Sequence, residues 1–142
     1  MTVEIRHYAG IMNTPGLNLA VRAWHELLDA GFVDPTAIVV QYDHKAIVAF
    51  SGGRPVGVLT YYDQEWASQI GVAVAFVLPE HRRQGIHTRM WQALIAKTQE
   101  LKRTSITSGA HIRNEASLAS QAKRGSIEKS IGTRFEVPAA TK

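Results

Sequence analysis

The chain has 142 residues, 45% of them hydrophobic and 20% charged, with a net charge of +4. That length suits one domain with its own core, and no apolar run approaches the ~20 residues of a membrane-spanning helix. The sequence has no cysteine, which excludes disulfides, thiolate metal sites and a cysteine acyl-enzyme.

The elements read in chain order as follows. "VEIRHY" alternates and predicts a first strand. Thr14-Pro15 reads as an N-cap with proline at the first helical position. Leu17, Ala20, Val21, Trp24, Leu27 and Leu28 then recur at helical spacing, and Gly31 is placed to stop the helix. "TAIVVQY" predicts a short strand and Asp43-His44 a turn. "KAIVAF" and "PVGVLTYY" flank "SGGR", a hairpin signal. "SQIGVAVAFVL" is a longer apolar strand, expected to be central. A helix is predicted from Ile86 to Lys102, with Ile86, Met90, Leu94 and Leu101 on one face, widened by Trp91 and Ile95. "TSITSG" gives a further strand. Asn114 to Gly125 gives a second amphipathic helix, "SIEKSIGTRFEV" one strand or a hairpin, and residues 138–142 a frayed tail. The order predicts a single α+β domain over residues 1–137. Its antiparallel strands come first, followed by one strand–helix–strand crossover near residues 68–108.

Charge is unevenly placed. Residues 1–70 carry net −3 and residues 71–142 net +7, which points to an anionic partner for the second half. The six histidines show no metal-ligand spacing, and "MTVEIRHYAG" has no signal-peptide pattern, so the expected compartment is the cytoplasm. The basic residues concentrate in "VAFVLPEHRRQGIHTRM", where an apolar strand meets a helix. A helix start leaves N–H groups unpaired and carries about half a positive charge. A phosphate can sit there if the backbone can approach closely. Gly85 removes the obstructing side chain, Arg82 and Arg83 add charge, and Thr88 offers a hydroxyl. Residues 82–88 therefore form a candidate pyrophosphate site.

This stretch, Val77 to Met90, resembles the acetyl-CoA-binding motif of the GNAT superfamily of N-acetyltransferases, Arg/Gln-x-x-Gly-x-Gly/Ala. Val77, Pro79, Arg82, Gly85 and Ile86 match, while His87 occupies the second Gly/Ala position. Asn114 to Ser126 resembles the later Asn-x-x-Ala-x-x-x-Tyr-x-Lys-x-Gly-Phe segment. Asn114, Lys123 and Gly125 agree, Ser117 is a small-for-small change, Gln121 replaces Tyr and Ser126 replaces Phe. The resemblance implies a mixed, mostly antiparallel central sheet flanked by helices, with acetyl-CoA as cosubstrate in a V-shaped opening between residues 68–78 and 104–110. It implies that backbone around Phe76 and Val77 grips the pantetheine, that Arg82, Arg83, Gln84, Gly85, Ile86, His87 and Thr88 hold the pyrophosphate, and that Asn114 lies near the pantetheine or thiol. The implied reaction is acetyl transfer to an amine, on a small molecule or a protein, and exposed sheet edges admit a homodimer.

Without cysteine, direct attack in a ternary complex is the simplest route. An alkyl ammonium must lose a proton first. The strand from Ser68 to Leu78 has no acid, which leaves Glu65, Asp63 and His111 as candidate bases. Gln121 cannot protonate a thiolate as the family's tyrosine does, so Ser117, Ser120 or water is expected to stabilise it. Tyr61, Tyr62 and Trp66 bracket the two acids and suit a cationic amine; Trp24 and Trp91 are expected in the core. Two other readings stand beside this one: a CoA-binding module with reduced catalysis, suggested by His87 and Gln121, and nucleic-acid binding by the basic half. For the latter no aromatic interleaving or reader motif is present.

Overall fold

A computed structural model of the chain describes residues 2–31, 41–109, 127–129 and 132–140. Its elements are β1 (Val3–Tyr8), α1 (Leu17–Asp29), β2 (Lys45–Ser51), β3 (Arg54–Gln64), β4 (Gln69–Val77), α2 (Ile86–Glu100), β5 (Ser105–Gly109), β6 (Ile127–Lys129) and β7 (Gly132–Glu136). The described strands form one sheet in the order β1-β2-β3-β4-β5-β7-β6. Every pairing is antiparallel except β4 with β5. The expected α+β architecture with one strand–helix–strand crossover is what the chain adopts, and α2 is the crossover. The strand expected at "TAIVVQY" falls largely, and the helix expected at 114–125 wholly, outside the described residues.

The β2–β3 hairpin closes over Gly52 and Gly53, both at positive φ (60° and 80°), the backbone a two-residue hairpin turn requires. "SIEKSIGTRFEV" resolves into a β6–β7 hairpin rather than a single strand. Because side chains alternate along a strand, β2, β3 and β4 present two apolar faces. One carries Ala46, Val48, Phe50, Val58, Val74 and Phe76 against α1. The other carries Ile47, Ala49, Leu59, Tyr61, Ile70 and Val77 against α2, whose Ile86, Met90, Trp91 and Leu94 are buried as their spacing predicts.

Two helix details differ from the sequence expectation. α1 begins at Leu17 behind Gly16, because Thr14 turns its hydroxyl back to the Ile11 carbonyl (2.7 Å) and closes a turn instead of capping the helix. Its most buried residues are Leu19, Ala20 and Ala23, so small side chains set a close approach to the sheet, and Trp24 is only half-buried. α2 ends at Glu100, two residues early. Lys102 takes φ 59°, and the Arg103 and Lys102 N–H groups bond the Thr98 and Gln99 carbonyls (both 3.0 Å), a Schellman closure without the usual glycine.

Candidate acyl-transfer site

The central strand is split. β4 and β5 pair from Gln69–Ser105 to Val72–Ser108, and among the described residues their pairing goes no further. At the same level the β3–β4 register slips. Thr60 faces Val74 and Tyr61 faces Val72, so Ala73 is an extra residue in β4. Such a bulge bends its strand and breaks the ladder. Beyond it, the Leu78 N–H bonds the Val56 carbonyl (2.9 Å). In an antiparallel ladder, neighbouring residues alternate the direction of their backbone groups. Val77 and Ala75 therefore turn N–H and C=O away from β3 toward the opening, whereas Phe76 turns its own toward β3. Ala75 is exposed although it lies inside a central strand. Of the two residues expected to grip a pantetheine, Val77 has backbone groups facing the opening. Phe76 contributes a buried ring to the α1 face, 6% exposed.

The loop after β4 is built to hold the start of α2 open. A single 3-10 turn, Pro79–His81, leads into extended Arg82, then Arg83 at φ 62° and Gly85 at φ 80°. Gly85 is the N-cap and makes no side-chain cap bond. The first helical bond runs from the Arg89 N–H to the Gly85 carbonyl (3.0 Å), so the helix supplies no carbonyl to the N–H groups of Ile86 and Thr88. A Cβ built at Gly85 meets no atom within 4 Å, which leaves clear space over these donors. Arg83, Gln84 and Thr88 are exposed and His87 is half-buried. Arg82 is also engaged by the protein itself. Its Nε bonds the Val77 carbonyl (2.8 Å), its guanidinium lies 5.4 Å from the Phe76 ring centroid, and Glu26 of α1 stands 3.7 Å away. It braces the loop against β4 and α1. The residues present fit a pyrophosphate: open donors, a glycine in the left-handed region and clear space above both.

The candidate bases separate. Asp63 is locked in a two-pronged ion pair with Arg103 (2.8 and 2.9 Å), and that guanidinium holds its carboxyl below the ordinary aspartate range. Glu65 lies in the turn before β4, 83% exposed at its side chain and 3.9 Å from the same arginine. From Gln69 to the split at Ala73 is roughly 13 Å along the strand, so Glu65 sits at the closed end of the opening. His111, Asn114, Ser117, Ser120 and Gln121 lie outside the described residues. The expected aromatic group also divides: Tyr61 is core at 2% exposed, while Trp66 is 84% exposed. Tyr62 stacks on His44 (centroids 5.2 Å apart, 21° between planes). His44 is 5% exposed, and burial holds its imidazole below the ordinary histidine range. The sequence reading treats His44 only as part of a turn. The signal it misses is long-range: Lys45 pairs with Tyr61, so the next residue out on β2 lies beside Tyr62.

A crossover sheet that parts at a bulge, with an anion-ready helix start at the mouth, defines an acyl-CoA transferase architecture. Comparison with known proteins agrees. The profile of the acetyltransferase (GNAT) family matches residues 17–125, and the chain belongs to that family. No curated protein matches it. Among solved structures it resembles N-acetylglutamate synthase from Neisseria gonorrhoeae, complexed with coenzyme A and N-acetyl-glutamate. That match has a TM-score of 0.74 at 13% identity and covers 97% of this chain but only 36% of that one. It also resembles an N-acetyltransferase from Staphylococcus aureus (TM-score 0.67, 15% identity, 97% and 100% coverage of this chain and that one). A third is the ribosomal-protein-alanine N-acetyltransferase from Brucella melitensis (TM-score 0.64, 16% identity, 94% and 99% coverage). At these identities the likeness speaks for the fold. No helix among the described residues is long and apolar enough to cross a membrane.

Proposed function

We propose that the protein transfers an acetyl group from acetyl-CoA to a primary amine, by direct attack within a ternary complex. The observation that carries this reading is the split at Ala73. It frees the backbone of Ala75 and the N–H of Val77 on an interior strand that leads to the start of α2. In this reading the N–H groups at the head of α2 hold the pyrophosphate, with Arg83 and Thr88 beside them. The Ala75 and Val77 backbone takes the pantetheine as an added strand. A backbone N–H near the split stabilises the oxyanion that forms as the amine attacks. Coenzyme A supplies the activated thioester. The chain supplies position, a route for the ammonium proton and stabilisation of the leaving sulfur, for which Ser117, Ser120 and Asn114 are our candidates. The acceptor carries an amine, on a small molecule or a protein. Neighbours in the fold are named for an amino acid product and for a protein alanine.

The test is a thermal-shift titration with acetyl-CoA, CoA and ADP. A ligand at 100 times its Kd adds about 2.7 kcal/mol. A clear rise with acetyl-CoA, much smaller with ADP, is the expected result. No rise at millimolar acetyl-CoA would overturn the reading and return attention to the basic half and nucleic acid.

A further inference from the structure

Resting on that reading, we propose that Tyr62 and His44 form the acceptor-side proton route, with the Tyr62 hydroxyl against the incoming amine and the His44 imidazole taking its proton through one water. The argument begins with the two faces of the sheet. The head of α2 packs on the face of Leu59 and Val77, so a cosubstrate held there reaches the split from that side. The acceptor must then come from the α1 face. Tyr62 lies on that face, since it alternates with Tyr61 of the α2 face. It pairs with Gly71, one residue before the last β4 residue bonded to β5. Its ring lies across Gly71, with the hydroxyl oxygen 2.6 Å from where a Cβ would stand. Only glycine leaves room for this ring, and the result is a phenol beside the point where the sheet parts.

Behind Tyr62 stands His44, 95% buried by its 5% exposure. Among the described residues its Nδ1 has no hydrogen-bond partner, and neither has the hydroxyl of Thr60, the next residue on the same face of β3. Buried polar atoms are almost always paired. Two unpaired side-chain groups flanking one tyrosine, beside the split, mark a place that a polar ligand or water completes. Among the described residues, the other candidate bases are engaged or set apart. Asp63 is on the α2 face and bound to Arg103, and Glu65 is at the closed end. The groups set against His44 are Asp43, whose charge favours the imidazolium, and the Tyr62 ring, whose face accommodates a cation.

The chemistry balances. The ammonium gives one proton to His44 through the water and becomes a neutral amine. Its nitrogen attacks the thioester carbon, the C–N bond forms and the C–S bond breaks. Sulfur leaves with the electron pair, and the second nitrogen proton passes to it.

The experiment compares His44→Gln and Tyr62→Phe with wild type, using n-butylamine and methoxyamine, the second already neutral at pH 7. For His44→Gln, kcat/KM toward n-butylamine should fall about 10²-fold, while that toward methoxyamine and the Kd for acetyl-CoA stay nearly unchanged. In parallel, n-butylamine is titrated into the wild-type CoA complex and followed by NMR. The His44 imidazole and Tyr62 ring signals should move. Equal losses toward both amines, no loss toward either, or unmoved His44 and Tyr62 signals would overturn the proposal. Should no acceptor turn over, the NMR titration decides alone. A wild type that acetyl-CoA does not stabilise would instead overturn the acetyl-transfer reading itself.

Discussion

Gly85 carries two constraints at once. Its φ of 80° is in the left-handed region, where a Cβ costs about 1–2 kcal/mol. The space where its Cβ would stand is also open, and in the proposed reading the ligand passes there. Gly85→Ala should therefore lower unfolding stability by about 1 kcal/mol and weaken acetyl-CoA binding as well. Urea titrations with and without acetyl-CoA separate the two losses; an unchanged Kd would show that the ligand does not pass over Gly85. Two positions further on, His87 stands where the family motif has Gly or Ala. His87→Gly should keep or improve the Kd for acetyl-CoA, and a loss beyond about tenfold would make the imidazole itself a ligand. At this scale the sequence was readable where chemistry is local. A glycine between two arginines and a helix announces itself. Arg82 was less readable, because what fixes its side chain is the Val77 carbonyl and Glu26 of α1, and the second is distant in sequence.

Between elements, the closed end of the opening is held by β3, β4 and the turn after α2. Arg103 leaves the Schellman closure and reaches Asp63, and the Thr104 N–H bonds the Ser68 carbonyl (2.8 Å). A carboxyl whose pKa is lowered by folding contributes stability above its unfolded value and loses it as pH falls through the folded one. Asp63→Asn should thus lower Tm at pH 7, and the difference from wild type should shrink below about pH 4 and vanish in stronger acid. Equal Tm differences at pH 7 and pH 3 would refute an ionic role. Across the β3–β4 pair, Gly71→Ala should destabilise by about 1–3 kcal/mol through overpacking against the Tyr62 ring. Tyr62→Ala in the same chain should restore much of that loss, which a double-mutant cycle reads directly. The hairpin and α2 could be read from the sequence, since Gly-Gly and a 3.6-residue stripe are local signals. The α1 stripe is legible only in part: Ala20 lies on the expected face, whereas Leu19 and Ala23 are buried outside it, because a small side chain such as Ala23 marks a close helix–sheet approach without marking an apolar face.

Across the described residues, seven strands and two helices surround the opening, and ligand binding should register there first. Acetyl-CoA should slow amide hydrogen exchange at Ala75, Val77 and residues 86–88, and leave Ala46 to Phe50 in β2 as they were. Protection of Phe76 in place of Ala75 and Val77 would mean the register drawn for β4 is wrong. The fold class and the crossover were visible from element order alone. The bulge was not. In "QIGVAVAFV" every residue after Gln69 is apolar or glycine, so no alternation remains in which an extra residue could show. The ion pair of Asp63 was equally hidden, since its partner lies 40 residues away.

Ala73 has a consequence for how this chain can change over time. Loss of its single codon would leave every neighbouring residue in place and still be ruinous. Without the extra residue Val72 and Val74 would alternate as a regular strand, each on its present face, so the ladder would straighten and the split that frees the Ala75 backbone would close. The same deletion at the Gly52-Gly53 turn would only rebuild a surface bend. Lineages carrying this fold should therefore show length variation at the hairpin and none at the ninth position before Arg82.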